Sequence, residues 1–411
     1  MVNVENKQRV LYFFTSCFPY NLGETFIENE IQYLSEGFSK VYIISNDLKS
    51  NYLRKVPSNI EVIRVRYELN FYEKRMCFVS LFSPMFWREL IHAKNIYNKN
   101  ISFGIVKTAL ASIYNAKRLA KVYKSLNFIN NNSLYYSYWT NDVSLALSLL
   151  KYKNKKLKCF SRIHGWDVFF EPSKYKYLPY RNFIADNLES IFSISKKGID
   201  YCIGNWKIKN SSKIKLARLG VGKQIFLKQL SNNFLLVSCS NLISLKRVDL
   251  LIHSLAILKF KIKWVHFGDG EMFENLIRIS KEILPDNVDF QFKGRVANKL
   301  VLEYYKENNP SLFINLSSSE GVPVSIMEAM SFGIPVIATN VGGNSEIVSE
   351  ENGSLIEANP DPEFVSKKII EFHELSKEDK NIKRKNAFDT WNVKYNADKN
   401  YCRFVEDILA L

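Results

Sequence analysis

The chain has 411 residues, which suggests two or three domains at about 150 residues each. Its composition, 46% hydrophobic and 24% charged, is that of a globular protein and leaves little room for long disordered segments. With 16 Gly and 11 Pro, the chain is neither collagenous nor of low complexity. The net charge of +16 indicates an anionic partner, such as nucleic acid, a membrane surface or a phosphorylated substrate.

The positive charge lies in the first half of the chain. Residues 1–225 hold 35 Lys and Arg against 16 Asp and Glu, whereas residues 226–411 hold 22 against 25. This asymmetry favours two domains with different partners, although a biased nucleotide composition is an alternative source of the lysines. The six cysteines form no CxxC pair and no grouping with His at zinc-ligand spacing, so we expect reduced thiols.

No segment of the sequence resembles a signal peptide or a membrane-spanning helix. The apolar run at 10–14 has the length of a strand and leads into a polar loop. The longest uncharged apolar run before the middle of the chain, 76–87, has 12 residues, whereas a spanning helix needs about 20. We therefore expect a chain without leader or transmembrane segment.

Short β-branched and aromatic runs alternate with longer amphipathic stretches along the chain. In the first half, the pattern predicts a helix at 25–37 and strands at 10–14, 41–45, 61–65, 134–139, 158–163, 190–195 and 213–219. In the second half, it predicts helices at 245–258, 271–282, 296–308 and 322–332, and strands at 234–239, 263–267, 288–292, 311–316 and 335–338. Such alternation indicates two similar α/β domains with parallel sheets, joined by a hinge at 222–233.

Two basic segments interrupt this alternation. Residues 69–107 combine many aromatic side chains with Lys74, Arg75, Arg88 and Lys94. A segment of this kind either lies in a membrane interface or forms a helix pair packed on its own domain, and the sequence leaves both open. The lysines of residues 151–158 are expected to form a solvated face.

The clearest chemical pattern follows the strand at 311–316. Gly321 permits a tight turn and the close approach of a ligand, and Pro323 suits the first turn of the next helix. The free N–H groups of that turn form an anion site of the kind that holds phosphates. Glu320 and Glu328 flank this site, and carboxylates suit the paired hydroxyls of a sugar or ribose. The structural alternative is an ordinary capping glutamate and a surface glutamate.

These residues resemble the C-terminal signature of the retaining glycosyltransferases of family four, in particular a bacterial polysaccharide branch. The resemblance extends over nearly the whole chain. It is carried by Phe18-Pro19-Tyr20, residues 23–28, Arg162-x-His164-Gly165-Trp166-Asp167, residues 219–221, residues 246–251, Gly268-Asp269-Gly270, Gly294, Glu320-x7-Glu328, Gly333, Pro335 and residues 341–343. It implies the GT-B fold, in which two Rossmann-like domains have parallel sheets facing across a cleft.

The resemblance also implies a donor site, residue by residue. Glu328 would bind the ribose hydroxyls of a nucleotide-sugar, and Glu320 would hold hydroxyls of the transferred sugar. Lys246 would neutralise the charge that grows on the leaving phosphate, which is electrostatic stabilisation of the transition state. The donor-binding set is completed by backbone and glycine positions, namely Gly321, Val322, Pro323, Val324, Gly268 and, from the first domain, Gly23.

One donor position departs from the family pattern. Family members commonly carry Arg five residues before the lysine as a second phosphate ligand, but this chain has Asn241 there. Arg247 is a candidate to compensate; otherwise the donor site is weaker than usual. The structural alternative for Lys246 is an ordinary lysine on a helix surface.

His164 follows a predicted buried strand, so its side chain is expected at the carboxyl edge of a parallel sheet, where open α/β folds bind ligands. It is a candidate for contact with the donor sugar or the acceptor, and Asp167 for ordering the loop; a purely structural His is the alternative. No metal cluster is visible in the sequence, so we expect neither metal dependence nor a cofactor.

The sequence therefore predicts a retaining hexosyltransferase with two domains. Residues 1–225 would bind the acceptor, with a terminal helix at 391–411 packing back onto them, and residues 226–390 would bind the nucleotide diphosphate sugar. The expected acceptor is a lipid-diphosphate-linked glycan of capsule, O-antigen or exopolysaccharide assembly, at the anionic inner face of a membrane on the cytoplasmic side. The alternatives are a non-catalytic sugar-nucleotide binder and, more remotely, a nucleic-acid-binding protein. A dinucleotide-dependent dehydrogenase is disfavoured because no G-x-G-x-x-G follows a strand.

Overall fold

The fold is taken from a computed structural model that describes residues 9–21, 23–226 and 233–411. The chain divides into two compact units. The first unit runs to Arg218 and includes Tyr401–Leu411, and the second unit is Leu219–Asn400. The predicted hinge at 222–233 falls in the second unit, and its residues 227–232 lie outside the described residues.

The first unit is built on a sheet of seven parallel strands. They are β1 (Val10–Thr15), β2 (Lys40–Ser45), β3 (Ile60–Arg64), β4 (Ser133–Ser137), β5 (Lys158–Ile163), β6 (Ser190–Ser193) and β7 (Ile214–Leu216). Their order is β3-β2-β1-β4-β5-β6-β7, so the order reverses between β1 and β4. The central strands β1, β4 and β5 are almost fully buried, as expected for a parallel sheet covered on both faces.

The helices of the first unit cover this sheet. They are α1 (Glu28–Gly37), α2 (Phe71–Met76), α3 (Pro84–Asn95), α4 (Phe103–Ser125), α5 (Asp142–Lys153), α6 (Arg181–Asn187) and α7 (Lys196–Asn205), with 3-10 helices at Thr25–Ile27 and Cys77–Phe82. Predicted segment 69–107 thus forms α2, a 3-10 helix, α3 and the start of α4. Within the described residues, no helix is both long enough and apolar enough to cross a membrane.

The second unit contains a second parallel sheet of six strands. They are β8 (Phe234–Cys239), β9 (Ile262–Phe267), β10 (Val288–Phe292), β11 (Leu312–Asn315), β12 (Val336–Thr339) and β13 (Gly353–Ile356), in the order β10-β9-β8-β11-β12-β13. Its helices are α8 (Val248–Leu255), α9 (Phe273–Ile283), α10 (Asn298–Asn308), α11 (Val324–Ser331), α12 (Asn344–Ile347), α13 (Pro362–Glu374) and α14 (Lys377–Lys394). The strand order reverses between β8 and β11.

The last helix, α15 (Ala397–Leu409), follows α14 after a short break and contributes its second half to the first unit. Phe404, Val405 and Ile408 are buried in the same core as Leu34 of α1. A Cβ at Gly37 would lie 2.4 Å from Val405 Cγ1, so the two helices approach closely because residue 37 has no side chain.

The predicted fold class is confirmed, and each predicted strand overlaps an observed one. Two predicted helices were wrong in detail. The helix at 245–258 is instead a 3-10 turn at Ser244–Lys246 followed by α8, because Arg247 takes the left-handed conformation with φ +50°. The helix at 322–332 begins only at Val324, so Pro323 is its N-cap residue with ψ 122° rather than part of its first turn.

Candidate active site

The donor-site residues of the second unit lie at the carboxyl ends of its two central strands. Lys246 lies in the connection after β8, and Glu320 lies in the loop after β11. These strands are neighbours at the point where the strand order reverses. Loops diverge there to opposite faces of the sheet and leave a crevice in which open α/β folds bind ligands.

Glu320 is the centre of a polar cluster. Its Oε1 accepts hydrogen bonds from Lys246 Nζ at 2.6 Å, Ser317 Oγ at 2.6 Å and Asn315 Nδ2 at 3.2 Å. The Lys246 and Glu320 side chains are 19% and 10% exposed, so water screens this ion pair only partly. No described residue donates to Glu320 Oε2, which leaves that oxygen able to accept from a ligand.

The loop that carries Glu320 is locked against the loop after β12. Gly343 N–H donates to Gly321 O at 2.6 Å, and Thr339 Oγ1 donates to Ser317 O at 2.6 Å. A Cβ at Gly342, which has φ +51°, would lie 1.7 Å from Glu320 O. Two glycines therefore let the backbones touch, and this contact fixes the position of Glu320.

The same loop ends at the start of α11. Val322 and Pro323 are buried, while Gly321 and Val324 are half-buried. The first N–H groups of a helix have no partner within the helix, and Pro323 places those of α11 directly after the Glu320 loop. This arrangement is compatible with the predicted anion site, and the helix begins two residues later than predicted.

Glu328 lies on α11 in a different environment from Glu320. Its side chain is buried, and its Oε1 accepts a hydrogen bond from Asn298 Nδ2 at 2.7 Å. Burial raises the pKa of Glu328 to about 7, and the hydrogen bond from Asn298 opposes part of that rise. Asn298, the first residue of α10, is a site residue that the sequence reasoning missed, since no local pattern marks it.

Arg247 and Asn241, two further predicted donor residues, have different surroundings. The Arg247 guanidinium donates to Leu316 O at 2.6 Å, Ser317 O at 3.1 Å and Ala358 O at 2.8 Å. These bonds hold the start of the Glu320 loop, so Arg247 positions that loop. Asn241 is exposed in the turn that follows β8.

Gly268 and Gly270 shape that turn from the side of β9. A Cβ at Gly268, with φ +142°, would lie 1.8 Å from Ser240 O, and one at Gly270 would lie 2.4 Å from Leu242 O. Leu242 N–H also donates to Asp269 O at 3.0 Å. These glycines therefore support the backbone around Asn241 by close contact.

In the first unit, His164 and Asp167 lie in the loop after β5. The Asp167 carboxylate accepts hydrogen bonds from His164 N–H at 2.9 Å, Gly165 N–H at 3.1 Å and Thr140 N–H at 3.0 Å. Burial alone would raise the pKa of Asp167, but the hydrogen bonds from these N–H groups lower it below its ordinary value. Asp167 thus orders the loop as a charged acceptor.

The His164 ring is buried, and burial lowers its pKa, so it is neutral near pH 7. Its Nδ1 lies 3.9 Å from Asp167 Oδ2, which is too long for a hydrogen bond, and neither ring nitrogen has a partner. Arg162 of the same motif is buried in the core, where its guanidinium forms an ion pair with the buried Glu30.

The loop after β1 is organised by Glu24, which lies in the segment 23–28 that carries part of the family resemblance. Its carboxylate accepts from Ser16 N–H at 3.0 Å, Cys17 N–H at 2.7 Å and Phe18 N–H at 2.7 Å. Gly23 lies beside it at the surface, and a Cβ there would be 2.6 Å from Cys17 Sγ. Within the described part of the chain, no three His, Cys, Asp or Glu side chains are grouped as metal ligands would be.

Residues 223–388 match the family of glycosyl transferases group 1. The O-antigen biosynthesis glycosyltransferase WbnH of Escherichia coli is 29% identical over 208 residues, which cover 50% of this chain and 57% of WbnH. This region of the chain is therefore similar to the group 1 glycosyltransferases. The matched family region lies entirely within the second unit and contains Lys246, Glu320 and Glu328.

Two further proteins are similar to this chain. The UDP-Gal:α-D-GlcNAc-diphosphoundecaprenol α-1,3-galactosyltransferase of Escherichia coli is 30% identical over 110 residues, 25% of this chain and 26% of that protein. The crystal structure of Anabaena HepE in complex with UDP and glucose has a TM-score of 0.64 at 14% identity, and the match covers 98% of this chain and 100% of HepE. The likeness to HepE confirms the predicted GT-B fold.

Proposed function

We propose that this glycosyltransferase moves a hexose from a nucleotide diphosphate sugar to a growing glycan, with retention of the anomeric configuration. The donor binds on the second unit, and the acceptor, a lipid-diphosphate-linked glycan of capsule, O-antigen or exopolysaccharide assembly, binds on the first. The observation that carries the proposal is the meeting of Lys246, Glu320 and the start of α11 at the reversal of the second sheet.

Similar proteins support the proposed donor, pathway and acceptor. HepE was crystallised with UDP and glucose, WbnH acts in O-antigen biosynthesis, and the similar galactosyltransferase uses a diphosphoundecaprenol-linked acceptor. Retention of configuration rests on the resemblance to family four.

In the proposed transfer, the bond between the anomeric carbon and the diphosphate oxygen breaks, and its electron pair moves to that oxygen. The acceptor hydroxyl oxygen bonds to the anomeric carbon, and its proton passes to the departing diphosphate oxygen. Lys246 has three N–H donors, of which Glu320 takes one, so two remain for the phosphate oxygens. The N–H groups at the start of α11 add positive potential to the same place. Both stabilise the charge that develops on the leaving diphosphate.

The two glutamates and His164 bind hydroxyl groups in this proposal. Glu320 Oε2 accepts from hydroxyls of the transferred sugar, and Glu328 accepts from the ribose. The ring nitrogens of His164, which have no hydrogen-bond partner, form hydrogen bonds with hydroxyls of the acceptor or of the donor sugar. Lys246 and the helix start supply the stabilising charge, so we expect turnover without a divalent metal.

Turnover of radiolabelled nucleotide-sugars tests the proposal. Lys246→Ala and Glu320→Ala should each lower kcat/KM at least about 10-fold, because a charged hydrogen bond contributes about 1.5–3 kcal/mol. Lys263→Ala is the matched control, since Lys263 forms a surface ion pair with Asp289 at 3.7 Å on the same unit.

Wild-type transfer by folded Lys246→Ala and Glu320→Ala variants would contradict the site. Binding of a nucleotide-sugar without any turnover would identify a non-catalytic binder instead. The same assay in EDTA tests metal dependence, and activity that is lost in EDTA and restored by Mg²⁺ or Mn²⁺ would overturn the metal-free expectation.

A surface of the first unit suits the membrane in which a lipid-linked acceptor would reside. The buried sides of α3 and of the 3-10 helix at Cys77–Phe82 pack on α4. The outer sides of these elements, α2 and the start of α4 expose large apolar side chains. We call this outer side the interfacial surface; it is formed by Phe71, Tyr72, Phe78, Phe82, Trp87, Ile91 and Phe103. The packed side fits the helix-pair alternative, and the exposed aromatic side chains support our proposal of a membrane contact.

The charges around the interfacial surface are almost all positive. Residues 69–125 contain ten Lys and Arg but two acidic residues, Glu73 and Glu89. Glu89 is buried, and Glu73 is ion-paired with Arg66 at 2.8 Å. Exposed aromatic groups amid unopposed cations match an anionic lipid surface, so we place the enzyme as a peripheral protein at the inner face of the membrane.

A further inference from the structure

Aromatic side chains gather around His164 at the carboxyl edge of the first sheet. The ring centroids of Tyr138 and Trp139, after β4, lie 4.4 Å and 4.5 Å from that of His164. Trp166, two residues after His164, lies 5.1 Å from Trp139. Loops after two adjacent strands thus build one aromatic cluster beside the reversal between β1 and β4.

This cluster is held in place from a third loop. The indole N–H of Trp139 donates to Glu24 Oε1 at 2.5 Å, and Glu24 is itself fixed by three backbone N–H groups after β1. The backbone on either side of Trp166 is fixed by Asp167, which accepts from the N–H of Gly165 and caps this turn. The Trp139 ring is therefore a rigid support for the ring of Trp166.

Trp166 remains open to solvent despite this support. It is 52% exposed, and no described residue accepts a hydrogen bond from its indole N–H. Next to it, His164 is 9% exposed, and both of its ring nitrogens lack a partner. Buried polar atoms without partners cost free energy, so their presence beside an exposed indole points to a ligand that completes them.

We infer that Trp166, supported by Trp139, is a stacking platform for a sugar ring of the acceptor. One face of a pyranose presents mainly C–H groups, which pack against an indole face, while its hydroxyls point outward and reach polar groups at the edge. The ring nitrogens of His164 and the indole N–H of Trp166 are the polar groups available at that edge. This inference rests on the proposed function in that it takes the acceptor to be a glycan.

Saturation-transfer NMR on the full-length protein tests the platform without any turnover. The probes are the methyl α- and β-glycosides of glucose, galactose, mannose and N-acetylglucosamine at millimolar concentration. We expect at least one glycoside to receive saturation chiefly at its ring C–H protons. Trp166→Ala should weaken its binding at least tenfold, whereas Trp166→Phe should retain most of it because a flat ring remains.

Trp87→Ala is the matched control, since Trp87 is 53% exposed on the same unit but lies in the interfacial surface. Equal binding by wild type and Trp166→Ala, equal losses in Trp166→Ala and Trp87→Ala, or no glycoside bound by the wild type would each overturn the platform. Sugar binding that depends on Trp166 in a protein that transfers no sugar would leave the platform intact and refute the proposed function instead.

Discussion

The two glutamates of the proposed donor site have different surroundings. Glu320 accepts three hydrogen bonds, one of them from the Lys246 ammonium. Glu328 is buried on α11 with a single amide donor, Asn298. Burial raises the pKa of Glu328 to about 7, so this carboxyl group changes its charge near neutral pH.

This difference predicts a pH dependence of donor binding. Below about pH 7 Glu328 is protonated, and above it the carboxylate would accept hydrogen bonds from the ribose hydroxyls of the proposed donor. The affinity for a nucleotide-sugar, measured by calorimetry between pH 5.5 and 8.5 for the best binder of a donor panel, should therefore rise through neutral pH. We expect a gain of about tenfold, the range for hydrogen bonds to a charged group.

The control for this titration is Glu328→Gln, which keeps the shape of the side chain but cannot ionise. Its donor affinity should be low and flat over the same range. A Glu328→Gln variant with the same pH profile as the wild type would show that another group titrates.

The sequence indicated some residues of the proposed donor site and missed others. Glu320 and Glu328 were indicated by their spacing around a strand, a turn and a helix start, and Lys246 by the family resemblance. Asn298 and Trp139 were not indicated, since their contacts with Glu328 and Glu24 arise only when segments distant in sequence meet. Arg247 was a candidate phosphate ligand; its guanidinium contacts the Glu320 loop, and a role at the phosphates stays a prediction.

At the scale of elements, the active site depends on contact between the loops after β11 and β12. Gly342 has φ +51°, and its backbone lies so close to Glu320 O that a Cβ would be 1.7 Å away. We expect Gly342→Ala to push the Glu320 loop out of place and to weaken donor binding at least tenfold. Calorimetry with a nucleotide-sugar measures this loss, and thermal unfolding monitors stability.

Gly294→Ala is a matched control for backbone strain. Gly294 also has positive φ, +65°, but a Cβ there would meet nothing within 4 Å. This variant should cost about 1–2 kcal/mol for the left-handed conformation while donor affinity is largely retained. Equal losses of donor affinity in the two variants would mean that strain, rather than the contact with Glu320, matters.

Sequence periodicity predicted where most helices and strands occur, but it predicted less well where they begin and end. Buried parallel strands are near-continuous apolar runs, and this is why each predicted strand overlaps an observed one. β13 was missed because Gly353–Ile356 is four residues long and only two of them, Leu355 and Ile356, are apolar. The break at Arg247 was missed because a left-handed Arg leaves no mark in the apolar pattern of α8.

At the scale of the whole molecule, charge and apolar exposure are both concentrated on the first unit. Residues 1–225 carry the excess of positive charge and also the interfacial surface. Residues 226–411 are nearly neutral. A donor site for a soluble nucleotide needs only local positive charge, which Lys246 and α11 supply. The wider basic surface is better explained by a large anionic partner such as a lipid bilayer.

Vesicle binding tests this division of charge. The protein should sediment with vesicles that contain anionic phospholipid and less with neutral ones, and about 0.5 M salt should release it because the Debye length shrinks to a few ångströms. Charge reversal of Lys74, Arg75 and Arg88 should weaken binding strongly, since each cation near the surface adds about 1 kcal/mol. Reversal of three exposed lysines of the second unit, Lys281, Lys367 and Lys377, changes net charge equally and should have a small effect. Equal losses from the two triple variants would mean that net charge, rather than the interfacial surface, attracts the protein to the membrane.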